Sequence, residues 1–188
     1  MNVAVLHGSP RKAGSSDTLA SWFLDGLNSR GVHAVTEFFA NEMSVRPCQG
    51  CEACNDPAHP GCSIHDDMDA VYEAVRRANL VVWAIPMYWG YMTAQTKILV
   101  DRMEAIASHS VFRGKTFVVI LTYRHHYEST LAFFRRVFVD YFGVNLHTIT
   151  FKSVDATSGQ DIHVRTRPDV LESALKLGRS LAAELGSL

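Results

Sequence analysis

Residues 3–23, VAVLHGSPRKAGSSDTLASWF, decide the fold. A short apolar, β-branched run ends at Gly8-Ser9-Pro10, crosses small and basic residues to Gly14-Ser15-Ser16, and resumes as an amphipathic pattern of helical period. Strand, tight loop and helix in this order open a βαβ unit. The loop is where an anion is expected. Helix N-terminal amides are unpaired and carry the positive end of the dipole, small residues let backbone approach a phosphate, and Ser9, Arg11, Ser15 and Ser16 add hydroxyls and a guanidinium. The stretch has neither the G-K-[ST] ending of a Walker loop nor G-x-G-x-x-G, so a mononucleotide phosphate suits it better than a dinucleotide. A simpler account competes with this one: a helix capped by Ser15, Ser16 or Asp17, with Arg11 and Lys12 solvated.

Working outward, short β-branched runs at 3–7, 34–38, 80–85, 116–121 and 146–151 alternate with helical patterns at 16–29, 67–78, 93–107, 127–142 and 169–185. That alternation predicts five strands in a buried parallel sheet. Gly31 and Gly143 stand where helix C-terminal glycines belong. One core suffices for 188 residues, and no repeat or linker divides the chain, so a single domain over 1–188 is expected. A formal net charge of -1 recruits neither nucleic acid nor an anionic membrane. No basic segment precedes the first apolar run, and NLVVWAIPMYWGYM is short and broken by Pro86 and Gly90, so a cytoplasmic location without a membrane span is expected.

In NLVVWAIPMYWGYMTAQTKILVDRM, residues 79–103, the third strand runs straight into Pro86-Met87-Tyr88-Trp89-Gly90 and then a helix. Ligands of doubly wound sheets sit at the carboxyl ends of strands near the topological switch point, between the first and third strands here. Two adjacent aromatics and a glycine at that edge make a wall for a planar ring. Aromatics at a helix start also serve simply as packing, but the anion loop across the same crevice favours the ligand reading.

The longest irregular stretch, about 41–66, contains all four cysteines, Cys48, Cys51, Cys54 and Cys62, spaced C-x2-C-x2-C-x7-C, with Pro57, Pro60 and Gly61 turning the chain before the last. The first three, as soft thiolates, follow the compact run of ferredoxin-type clusters, and the fourth lies farther along. Zinc is another candidate, since four thiolates suit it, with His59 or His65 as substitutes, and buried thiols also pack as small hydrophobes. Residue chemistry leaves these open. Asp66, Asp67 and Asp69 read as the start of a helix, and the adjacent Asp101 and Arg102 as members of different contacts, with a subunit interface one place for them. Phe133, Phe134, Phe138, Phe142 and Trp22 read as core.

Together GSPRKAGSS, CQGCEACNDPAHPGCSIHDDM and PMYWGYMTAQTKILVDRM resemble, in order, three segments of the NAD(P)H-dependent FMN reductase family, in its iron-sulfur flavoprotein branch. The patterns are G-S-P-R-x-x-G-N-[ST], C-x-G-C-x-x-C-x(n)-G-x-C-x-x-x-D-D-M and P-x-Y-W-x-x-x-x-[ST]-A-x-x-K-x-x-x-D-R. The resemblance covers the first two thirds and implies a flavodoxin-like, doubly wound α/β fold with five parallel strands in the order 2-1-3-4-5 and helices on both faces. It implies FMN with its phosphate on Ser9, Arg11, Ser15 and Ser16, Ser15 replacing the usual asparagine. Pro86, Met87, Tyr88, Trp89 and Gly90 would line the flavin. Thr122 and Tyr123, in a loop that continues through Arg124, His125 and His126 and lacks the usual glycines, would lie along the ring edge. It further implies an oxidoreductase taking electrons from NAD(P)H to a quinone, flavin or other small acceptor, a homodimer or homotetramer, and Cys48, Cys51, Cys54 and Cys62 as ligands of a [4Fe-4S] cluster. A non-enzymatic flavodoxin-like carrier and a cysteine-based redox or metal sensor are the competing readings; the near-neutral charge speaks against the first, because such carriers are strongly acidic. The last third is expected to add little to the site.

Overall fold

The computed structural model describes residues 1–31, 33–58, 61–107 and 109–186, so the predicted roles of His59 and Pro60 lie outside the described residues. In chain order the strands are β1 (Asn2–His7), β2 (Ala34–Phe39), β3 (Leu80–Tyr88), the two-residue β4 (Tyr91–Met92), β5 (Thr116–Tyr123) and β6 (Asn145–Lys152). All neighbours are parallel except β4, which folds back antiparallel on the end of β3. The expected five-strand order 2-1-3-4-5 is therefore corrected: six strands run β2-β1-β3-β5-β6, with β4 off this path. The extra strand has a local cause. Trp89 and Gly90 both take left-handed backbone, φ 52° and 74°, and two such residues make a tight hairpin turn that pairs Tyr88 with Tyr91 and Met87 with Met92.

The helices are α1 (Ser15–Asn28), α2 (Met68–Arg77), α3 (Ala94–Arg102), the short α4 (His109–Phe112), α5 (Glu128–Phe134) and α6 (Pro168–Leu185). Alternate residues of each central strand face opposite layers, which is why β1, β3 and β5 read as continuous apolar runs. Val3, Val5, Val82, Val118 and Ile120 meet Leu19, Phe23 and Leu27 of α1 and Leu181 of α6. Ala4, Leu6, Val81, Trp83 and Phe117 meet Val71 and Val75 of α2, Leu99 of α3 and a cluster of phenylalanines. Phe134, Phe138 and Phe142 are buried in that cluster, as expected. Two of the longer helical patterns change pitch. The pattern at 127–142 is α5 followed by a π-helical turn, Arg135–Tyr141, whose wider turn keeps aromatic residues spaced four apart toward the core. The pattern at 93–107 is α3 followed by a tighter 3-10 turn, Met103–Ile106. No helix among the described residues is long and apolar enough to cross a membrane.

Candidate functional site

A cleft of about 790 Å³ opens at the carboxyl ends of β1, β3 and β5, large enough for a cofactor. Ser9, Arg11, Ser15, Ser16, Pro86, Met87, Tyr88, Trp89, Thr122 and Tyr123 all line it, so three sequence-distant segments that suggested a ligand converge on one space. Gly90 stands at the hairpin tip beside them, its carbonyl accepting the Ser129 hydroxyl at 2.7 Å.

The loop after β1 is held from three sides. Ser9 Oγ donates to the Arg11 carbonyl at 2.8 Å and accepts the Arg11 amide at 3.1 Å, which folds the loop on itself. Thr93, the cap of α3, donates its hydroxyl to the Gly8 carbonyl at 2.6 Å. A Cβ on Gly8 would stand 1.8 Å from Thr96 Oγ1, so only glycine lets α3 approach here. From the third side, His163 Nδ1 accepts the Arg165 amide, which leaves Nε2 to donate to the Ala13 carbonyl at 3.2 Å, while Ser15 Oγ accepts the Val164 amide. The cap of α1 is Gly14, not Ser15, Ser16 or Asp17 as sequence suggested, and among the described residues no side-chain hydrogen bond caps the first-turn amides. Those donors, with the Ser16 hydroxyl and Arg11, fit a phosphate, and Ser9 joins them by turning its hydroxyl away from the Arg11 carbonyl.

Trp89 is fully exposed, at 105% of its reference area, and Tyr88 is 40% exposed, so this aromatic wall projects over the cleft instead of packing into the protein. Tyr123 rests against Tyr127 at 4.6 Å between ring centres; burial, with Tyr127 and Glu128 nearby, pushes its phenol up. His125 and His126 are exposed and do not line the cleft.

The last third contributes a wall that sequence reading missed. Ser153, Asp161, Ile162 and His163 line the cleft, and Arg124 reaches Asp161 across it at 3.2 Å. The chain returns because Asp155 Oδ1 accepts the Thr157 and Ser158 amides and the Ser158 hydroxyl, closing a turn completed by Gly159 at φ 69°. The D-A-T-S-G turn pattern immediately after the last strand is the signal that announces this return.

The cysteine loop builds a separate place. Cys48, Cys51, Cys54 and Cys62 line one small cavity of about 30 Å³ with Ser63, Ile64, Arg102 and Glu104. All four thiols are free. Cys62 Sγ accepts the Ile64 amide at 3.4 Å, and Cys51 lies 3.3 Å from the Ser63 hydroxyl, which lowers its thiol; burial pushes Cys54 up. The donor set fits a thiophilic metal or cluster in its chemistry. As the loop stands, no group of three or more Cys, His, Asp or Glu side chains among the described residues is arranged to hold a metal ion. His65, the other substitute ligand, points to Asp69 instead.

Arg102 explains how this loop is held. Only 1% exposed, it uses its five N–H donors: Nη1 to the Arg46 carbonyl and Asp66 Oδ2, both at 2.8 Å, Nη2 to the Ile64 carbonyl and Asp66 Oδ1, and Nε to Tyr72 Oη. One guanidinium thus ties both ends of the cysteine loop to α2 and α3. Burial alone would raise the Asp66 carboxyl, but Arg102 and the Arg46 and Met68 amides hold it below its ordinary range; burial pushes Tyr72 up to about 12. Asp101 pairs with Lys97 instead, so the two neighbours do serve different contacts, and Arg102 is an internal clasp, not part of a subunit interface.

A sequence model described as NADPH-dependent FMN reductase matches residues 1–158. An iron-sulfur flavoprotein of Methanosarcina thermophila is 39% identical over 102 residues, covering 54% of this chain and 52% of that protein. The chain spans about half the length of the curated relatives it matches. Among solved structures, an NAD(P)H:quinone oxidoreductase from Methanothermobacter marburgensis superposes with a TM-score of 0.68 at 20% identity, over 96% of each chain. An FMN-dependent NADH-azoreductase from Bacillus anthracis, in complex with FMN, gives 0.68 at 11% identity, over 98% of this chain and 99% of that one. At these identities the likeness is one of fold.

Proposed function

Since the chain belongs to the NADPH-dependent FMN reductase family, we propose that it binds FMN in the cleft and carries electrons from NAD(P)H to a small acceptor such as a quinone or a flavin. The observation that carries this reading is the convergence of the Ser9–Ser16 loop, the Pro86–Trp89 wall and Thr122–Tyr123 on one space at the strand ends. Bound FMN supplies the redox chemistry. The chain's residues bind and orient: Ser9, Arg11, Ser15, Ser16 and the α1 amides hold the phosphate, and Pro86, Met87, Tyr88, Trp89 and Gly90 line the ring system with Thr122 and Tyr123 along its edge. The exposed aromatic wall leaves one face open for a nicotinamide and then an acceptor, in a cytoplasmic setting. Exposed Tyr141 supports a homodimer or homotetramer as the working form.

For the cysteines we propose that Cys48, Cys51, Cys54 and Cys62 ligate a [4Fe-4S] cluster, a reading supported by their shared cavity and by the names of several relatives. The loop then has to draw the four thiols together. An anaerobic absorption spectrum before and after dithionite, with iron and zinc analysis and steady-state NADH and NADPH oxidation against a quinone and free flavin, tests both. A flavin spectrum with donor oxidation is expected, with about four irons per chain if the cluster forms. A colourless protein inert to both donors would overturn the reductase, and iron-free protein after anaerobic reconstitution would overturn the cluster.

A further inference from the structure

His7, the last residue of β1, is 2% exposed directly beneath the Ser9–Ser16 loop, and the cleft does not use it. Its Nδ1 lies 3.1 Å from the carboxylate of Asp17 on α1, its Nε2 lies 2.9 Å from the carboxylate of Glu37 on β2, and its ring stacks on Phe39 at 4.2 Å. Carboxylates only accept, so both bonds exist together only when both ring nitrogens carry hydrogen and the imidazole is a cation. Asp17 sits in the first turn of α1, where its charge competes with any anion for the same dipole end.

We infer that His7 is a positioning residue for the flavin phosphate: as a buried imidazolium it holds Asp17 and Glu37 together, offsets one of their two charges and keeps the α1 N-terminus receptive to a phosphate dianion. The inference rests on the FMN reading above. The other charges around His7 are accounted for. Lys12 pairs with Glu42 and lies 5.7 Å over the Phe39 ring, and Arg11 faces the cleft. On the remaining sides the neighbours are neutral: Ala84 of β3 opposite His7, and Thr93 and Thr96 of α3 against Gly8. Burial by itself would drive the proton off His7, but the bonds and charges of Asp17 and Glu37 outweigh it and hold the proton to higher pH than an ordinary histidine.

As pH rises through that raised value, the ring can serve only one carboxylate. The two carboxylates then lie under the loop with no cation between them, and phosphate affinity falls. The second ionisation of the FMN phosphate has its midpoint at about pH 6, so the phosphate is mostly dianion through this window and gains charge, not loses it, as pH rises. The test is fluorescence titration of FMN, and separately of riboflavin, into the flavin-free full chain from about pH 7 to about pH 9. Wild type should lose FMN affinity toward alkaline pH. H7Q should bind FMN more weakly at neutral pH, on the order of tenfold, with a flattened profile. Neither effect should appear with riboflavin, which lacks the phosphate. D17N should abolish the alkaline loss, and adding it to H7Q should restore neutral-pH affinity; D17N alone decides the matter where H7Q does not fold. Equal losses for FMN and riboflavin, an H7Q profile matching wild type, or an alkaline loss that persists in D17N would overturn the inference while leaving the flavin site standing. Failure of wild type to take up either flavin at neutral pH would instead overturn the FMN reading, and the inference with it.

Discussion

At the scale of single residues, the buried charges are the informative ones. Arg102 has no water to fall back on, so its stability rests on Asp66 and on the carbonyls of Arg46 and Ile64. Replacing one partner of a buried pair leaves the other charged and unpaired, which typically costs about 3–5 kcal/mol. R102M should therefore lower unfolding free energy by roughly that amount in urea denaturation, and D66N added to it should recover part of the loss. An R102M protein within experimental error of wild type would mean that the guanidinium is not the clasp. The sequence placed Arg102 on a helix next to Asp101, but a charged helix residue reads the same whether it faces solvent or the interior. Its burial depends on Asp66, 36 positions away, being folded beneath it.

At the scale of elements, the layer of α1 and α6 is packed backbone against backbone. A Cβ on Gly178 would come 2.2 Å from the Phe23 carbonyl oxygen, and one on Gly26 would come 2.3 Å from the Leu175 carbonyl oxygen. No side-chain rotation relieves such a contact, so the helices must separate. G178A should destabilise by about 1–3 kcal/mol, the range for overpacking, with a matching fall in thermal midpoint; an unchanged midpoint would show that the two helices slide apart freely. The same two helices were legible as elements because their apolar residues keep helical spacing. Their closeness was not, since a glycine inside a helical pattern does not reveal which backbone it admits. The β3–β4 hairpin illustrates the same limit: Tyr88-Trp89-Gly90-Tyr91 reads as an aromatic loop until Trp89 is seen in a left-handed conformation.

At the scale of the whole molecule, the cleft and the cysteine cavity share no lining residue. The two are expected to behave independently. Changing Cys48, Cys51, Cys54 and Cys62 together to serine should leave the Kd for FMN within about twofold, because separate sites contribute additively. The double variant S9A/R11A should weaken FMN by at least tenfold while keeping metal content, since charged hydrogen bonds contribute about 1.5–3 kcal/mol each. Loss of FMN from the serine variant would show the loop to be part of the flavin site. By itself, the sequence determined the alternation of strand and helix, the anion loop after β1, the aromatic turn after β3 and the clustering of the thiols, because each is written in neighbouring residues through periodicity, glycine placement and spacing. Only the tertiary structure decided that the turn at Asp155–Gly159 returns His163 to the loop at Ala13, that Arg102 closes the cysteine loop and that His7 lies between two carboxylates. Those contacts join residues that are distant or unremarkable in the chain, and burial and charge compensation arise only when the layers close over them.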